Sequence, residues 1–141
     1  MQISECMTRS VEVANPDDSI QNAARIMDRI DAGVLPVGQD DRLVGMITDR
    51  DIAIRAVAKG RECDTPVREA MSGEVMYCYA DDDAEEVLEN MADQQVRRMP
   101  VVDRDKRLVG IVSIGDLAKK DERDTGETLR VIAQPGGLHA T

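Results

Sequence analysis

The sequence predicts an α+β fold in which two tandem repeats pack through their small β-sheets. Three observations predict it. Ile3-Ser4-Glu5-Cys6-Met7-Thr8 returns 64 positions later as Val67-Arg68-Glu69-Ala70-Met71-Ser72, and a shift held over many anchors marks repeated supersecondary units. Within each repeat the apolar spacing changes between a helical period and short strand-like runs. A unit of about 60 residues with three short strands buries too little surface by itself, so two units pressed sheet to sheet are the economical solution.

The elements follow in the same order in both repeats. A short lead helix opens each one; in the second, Thr65-Pro66 reads as a cap with Pro at the first helical position. A brief strand is expected around Val11-Glu12-Val13 and again around Val75-Met76-Tyr77. Amphipathic helices follow at about 18–30 and 83–94. Ile20, Ala23, Ala24 and Met27 match Ala84, Val87, Leu88 and Met91, with Asp clusters at the N-termini. Strands at Val34–Val37 and Leu43–Ile47, then Met99–Val102 and Leu108–Val112, enclose polar turns. The second turn is one residue longer, so the shift becomes 65 from Arg42/Arg107 onward. A last helix begins near Asp49 and near Ile114, the first stopping at Gly60. The expected division is 1–62 for the first repeat with its lead helix, 63–122 for the second, and 123–141 for a partly disordered tail with a short helix at Glu127–Ala133.

Composition narrows the function. A chain of 141 residues with 42% hydrophobic side chains can build a core, but it has no Phe, no Trp, two Tyr and eight Met. Aliphatic and Met side chains therefore fill the interior. Base-stacking platforms are excluded by the lack of aromatics, and nucleic-acid binding by a net charge of −10. No apolar run approaches a membrane span, and the N-terminus reads as no secretion signal. Cys6, Cys63 and Cys78 form no CxxC pair and the one histidine is His139, so neither a metal site nor a Cys–His nucleophile is expected. Reduced cysteines and a cytoplasmic location are expected.

Strand–helix–strand–strand–helix units ending in Gly45-Met46-Ile47-Thr48-Asp49-Arg50-Asp51 and Gly110-Ile111-Val112-Ser113-Ile114-Gly115-Asp116 resemble CBS domains, which work in tandem as a Bateman module. Val34-Leu35-Pro36-Val37 and Arg97-Arg98-Met99-Pro100-Val101-Val102 carry the same resemblance upstream, which spans about residues 1–120. The chain is similar to stand-alone bacterial CBS-pair proteins of the hypoxic or stress-response type. The resemblance implies two sheets packed about a pseudo-twofold axis, leaving two clefts that take AMP, ADP, ATP or S-adenosylmethionine. It also implies a homodimer and a regulatory role in signal transduction. No cofactor is required, although Mg would accompany a bound ATP.

The residues support a nucleotide without the family. Thr48 and Ser113 stand where a strand ends and a helix begins, so a hydroxyl and free backbone N–H groups meet the positive end of a helix dipole. Asp51 and Asp116, three residues on, each offer two acceptor oxygens, which suits the paired hydroxyls of a ribose. Val34, Leu35 and Pro36, with Met99 and Pro100, can flank an adenine. Arg50, Arg97 and Arg98 offer planar forks for phosphates, although the sequence leaves open which cleft each serves. The copies differ, Arg50 against Gly115 and Gly33-Val34 against Arg97-Arg98, so unequal affinities are expected. A second reading needs no ligand: Ser/Thr-x-x-Asp is nearly a capping box. Against it stand the shorter reach of Asp than of Glu or Gln, and a Gly on each preceding strand that signals close backbone approach.

Three functions compete on this footing. The repeats consume the chain, which favours a sensor of adenosyl ligands acting in trans on an unknown partner. A dimeric scaffold that binds no nucleotide is the alternative. An enzyme has little support, because Asp51 and Asp116 lie in separate repeats and no activated nucleophile is recognisable.

Overall fold

The computed structural model describes residues 1–118; the expected tail at 123–141, its helix and His139 lie outside the described residues. The chain divides into two compact units, one of Glu12–Val75 and one that joins Met1–Val11 to the residues from Met76 onward. The compact units thus differ from the sequence repeats, because each lead segment packs with the other repeat.

In the unit Glu12–Val75, α1 (Ile20–Ile30) buries Ile20, Ala23 and Met27 on one face. Ser19 caps it, its Oγ accepting from the Asn22 N–H at 3.0 Å. β1 (Val34–Gln39) and β2 (Arg42–Thr48) form an antiparallel hairpin. Its two turn residues, Asp40 and Asp41, both have positive φ, 54° and 65°, the backbone of a two-residue turn matched to strand twist. Beyond β2, α2 (Asp49–Asp51) runs on through a wide π turn at Ile52–Ala56 and a 3₁₀ turn at Val57–Lys59. Gly60 ends it with φ 73°, as expected of a C-terminal cap. Leu35, Val37, Ile47 and Ala56 join the α1 residues in the core, together with Val67 and Ala70 of the second lead segment.

In the other unit, β3 (Cys78–Tyr79) pairs in parallel with β4 (Arg98–Val102), which pairs antiparallel with β5 (Leu108–Ser113). α3 (Ala84–Gln94), capped by Asp83, and α4 (Ile114–Ala118) complete it. The longer turn has one non-glycine residue with positive φ, Lys106, and Asp103 Oδ1 accepts from the N–H groups of Asp105 and Arg107 at 2.9 Å each. That different turn chemistry absorbs the extra residue of the second repeat. Val87, Leu88, Met91, Met99, Val101 and Val112 form the core with Ile3 of the first lead segment.

The lead exchange is reciprocal. Thr8 trades both backbone hydrogen bonds with Ile111, at 2.9 and 3.0 Å, and Ser72 does the same with Met46, at 2.9 and 3.0 Å. Thr8 and Ser72 are repeat equivalents, as are Ile111 and Met46. Each lead segment therefore adds a one-residue bridge to the far edge of the other repeat's hairpin.

Three details depart from the sequence reading. The lead helices are single 3₁₀ turns, Ile3–Glu5 and Val67–Glu69. Pro66 is the residue before the second turn, extended at ψ 144°, while the Thr65 hydroxyl donates backward to the Glu62 carbonyl at 2.6 Å. The strand expected at 75–77 lies at Cys78–Tyr79, and that expected at 11–13 shrinks to one parallel bridge, Ala14 to Val37. Burial explains the displacement: Ala14 and Cys78 face the cores, whereas Val13 and Met76 are exposed.

Candidate functional site: two strand–helix corners

The first corner forms where β2 passes into α2. Thr48 is extended there, so its side chain folds over the first helical turn. Its Oγ1 accepts from the Asp51 N–H at 3.0 Å, and Asp51 Oδ2 accepts from the Thr48 N–H at 2.9 Å. The second corner repeats this between β5 and α4. Ser113 Oγ accepts from the Asp116 N–H at 3.1 Å, and Asp116 Oδ2 from the Ser113 N–H at 2.9 Å. Both are complete capping boxes, so the shorter reach of Asp, counted against a capping role in the sequence, does not prevent it. An extended cap residue swings its own N–H toward the third helical residue, and the short side chain then suffices. Each carboxylate keeps a second oxygen outside the box. At Asp51 this is Oδ1, on a side chain 18% exposed.

The flanking strand reaches both corners in the same way. Val34 pairs with Thr48 and Arg98 with Ser113. The Asp49 N–H donates to the Gly33 carbonyl at 2.9 Å, and the Ile114 N–H to the Arg97 carbonyl at 3.1 Å. The backbone therefore brings Val34 to Thr48 and Asp51, and Arg97 and Arg98 to Ser113 and Asp116. Each group lies within one unit. Val34 is half-buried, whereas Arg97 and Arg98 are exposed. The remaining candidates sit deeper: Leu35 and Met99 are core residues, and Pro36 and Pro100 are fully buried. Arg50 is exposed, its N–H donating to Asp49 Oδ1 at 2.8 Å.

Charge separates the two corners. At the first, the Asp49 carboxylate lies on Gly33 so closely that a Cβ there would stand 2.8 Å from Oδ2. The equivalent pair at the second is Arg97 with Ile114, a cation and an apolar side chain. One residue of the first corner escaped the sequence reading. Arg55 lies on the face of Asp51, its Nε 3.8 Å from Oδ1, and its Nη1 donates to the carbonyls of Met71 at 3.1 Å and Ala70 at 3.5 Å. Its spacing of four from Asp51 was the available signal.

Away from the corners, both tyrosines gather on one surface. Tyr77 and Tyr79 meet edge to face with ring centres 5.7 Å apart. Arg104 lies 4.2 Å over the Tyr79 ring and grips Asp81 with two bonds, 2.7 and 3.1 Å. Lys106 stands over Tyr77 and, chiefly by hydrogen bonding, holds its phenol below the usual range. Cys78 is buried, and desolvation pushes its thiol up to about 12. Among the described residues no three of His, Cys, Asp and Glu are grouped to hold a metal, and no helix is long and apolar enough to cross a membrane.

Comparison with known proteins adds a lineage to this geometry. The family model described as CBS domain matches residues 3–57 and 67–123. The chain is similar to the CBS domain-containing protein YhcV of Bacillus subtilis, at 43% identity over 116 residues covering 82% of each chain. It is also similar to Hypoxic response protein 1 of Mycobacterium tuberculosis, at 39% over 138 residues and 95% of each. A crystal structure of Hypoxic Response Protein I with two coordinated zinc ions aligns with TM-score 0.75 and 37% identity, over 84% of this chain and 98% of that one. The CBS domain pair of protein MJ0100, in complex with 5′-methylthioadenosine and S-adenosyl-L-methionine, aligns with TM-score 0.73 and 28% identity, over 84% and 94%.

Proposed function

The chain belongs to the CBS-domain family, and we propose that it is a regulatory protein that binds an adenosyl ligand at its corners and acts in trans on a partner. AMP, ADP, ATP and S-adenosylmethionine are the candidate ligands, and a homodimer is the acting form. One observation carries the reading: a hydroxyl and a carboxylate with one oxygen outside its capping box converge twice, at Thr48–Asp51 and at Ser113–Asp116. The N–H groups of Asp49, Arg50, Asp51, Ile114 and Asp116, expected to be free, already have partners within the chain. The oxygen of each Asp that lies outside its capping box suits the ribose diol. Val34 offers the adenine an apolar edge, and Arg50, Arg97 and Arg98 offer charge to phosphates. The solved MJ0100 pair with its two adenosyl compounds supports the same chemistry. The reading is one of binding, since each carboxylate is held by an N–H donor in its capping box.

The scaffold reading also has an observation in its favour, since completed capping boxes account for Ser/Thr-x-x-Asp without a ligand. Calorimetric titration of the four ligands against wild type, Asp51→Asn and Asp116→Asn separates the two. Asn keeps an acceptor for the capping N–H but removes the charge that would hold the hydroxyls. Each substitution is expected to weaken binding at its own corner about tenfold or more. Binding undiminished in both variants sinks the ribose assignment. No binding of any adenosyl compound to wild type favours the scaffold.

A further inference from the structure

We propose that Arg55 is the positioning residue through which occupancy of the first corner reaches the lead segment of the second repeat. The inference rests on the ligand reading above and adds a route of regulation to it.

The contacts form a closed ring within the unit Glu12–Val75. Asp51 Oδ2 is taken by the Thr48 N–H at 2.9 Å, so Oδ1 is the oxygen that faces both Arg55 and an incoming diol. Arg55 spans from there to the Met71 carbonyl, 3.1 Å from Nη1, and to that of Ala70 at 3.5 Å. Ser72, the next residue, exchanges two backbone hydrogen bonds with Met46, and Met46 precedes Thr48 by two residues on β2. The ring therefore runs from the ligand carboxylate, through one guanidinium, to the docked lead segment and back.

Its weakest member decides the direction of the response. The Arg55–Asp51 approach of 3.8 Å is an ion pair beyond hydrogen-bond distance, while every other link in the ring is a hydrogen bond or the covalent chain. Hydroxyls that donate to Oδ1 displace this pair first. Arg55 is then anchored only at its carbonyl end, and the hold on Met71 and Ser72 loosens. The equivalent of Arg55 in the second repeat is Lys120, outside the described residues. A lysine there lacks the fork that lets one side chain face a carboxylate and a carbonyl together.

Amide hydrogen exchange of the full chain tests the link, with AMP and S-adenosylmethionine as probes. In wild type, saturating ligand is expected to raise exchange at the Ser72 and Met46 amides about fivefold or more, the low end of ordinary coupling between sites. In Arg55→Met the same amides exchange faster without ligand, and ligand adds nothing. Asp51→Asn, which keeps the cap acceptor, also raises their exchange in the ligand-free chain. A ligand that binds wild type yet leaves these amides unchanged or slower overturns the link, as does wild-type protection in both variants. If neither probe binds, and ADP and ATP do not either, the ligand reading fails, while the ligand-free variants still decide whether Arg55 ties the corner to the lead segment.

Discussion

Met7 lies against Gly110 so tightly that a Cβ on the glycine would stand 2.7 Å from its sulfur and 2.8 Å from the Thr8 carbonyl oxygen. Gly45 meets Met71 and the Ser72 carbonyl in the same way, at 2.8 and 2.7 Å. The motif glycines therefore make room for the exchanged lead segments. A sulfur on a flexible chain can move, but a strand-paired carbonyl cannot do so without breaking its bridge. Gly110→Ala and Gly45→Ala should each cost about 1–3 kcal/mol, the ordinary price of overpacking, read as loss in chemical denaturation. Gly73, which has nothing within 4 Å of a Cβ, should tolerate Ala within about 0.5 kcal/mol.

The capping boxes carry a second prediction. Thr48→Ala and Ser113→Ala each remove an acceptor for a helix N–H, and should cost about 1 kcal/mol in thermal or chemical unfolding. Asp51→Ala and Asp116→Ala should cost a similar amount in the ligand-free chain. Equal stability of wild type and all four variants would show that the boxes contribute nothing.

Much of this was legible in the sequence, for physical reasons. The repeat shift fixes equivalences such as Thr8 with Ser72, and period and turn chemistry locate α1, α3 and both hairpins to within a few residues. The corners were legible because Thr48–Asp51 and Ser113–Asp116 are local, spanning one helical turn. The lead exchange was not, because a repeat reports which residues are equivalent and not which copy they contact. The expected division at 62/63 keeps each lead with its own repeat, whereas the pairing of Thr8 with Ile111 depends on long-range strand contacts. Burial of Leu35 and Met99 was equally hidden: on a short apolar strand, alternation alone does not tell the core face from a ligand face.

Cysteine reactivity should follow burial. Cys63 is exposed, whereas the Cys78 thiol is buried and directed at the Pro100 carbonyl 3.8 Å away. Desolvation first, and then the charges of Asp82 and Cys6, raise Cys78 from 9.0 to about 12. A thiol reagent at pH 8 should therefore label Cys63 in the native chain and Cys78 only on unfolding. The linkage has one sign. The unfolded thiol releases its proton near 9 and the folded one near 12, so the native state holds its full advantage below pH 9 and loses it as pH rises toward 12. Cys78→Ala should flatten that decline relative to wild type, and identical curves would refute the assignment.

The tyrosine surface gives a prediction of opposite sign. Hydrogen bonding from Lys106 is the largest cause lowering the Tyr77 phenol, followed by hydrogen bonding with Tyr79 and the Lys106 charge. The fold thus favours the phenolate, and this contribution is present above the unfolded value of 10.0 and lost as pH falls through the lower folded value. Its effect on stability is small because Tyr77 is solvated, so the measurement is spectroscopic. An ultraviolet titration should find one tyrosine ionising below the usual range in wild type, and Lys106→Gln should return it upward. Arg104→Gln should leave that value nearly unmoved, since Arg104 stacks on Tyr79 and binds Asp81. A Tyr77 titration unchanged by Lys106→Gln would mean that the ammonium above the ring does not reach its hydroxyl in solution.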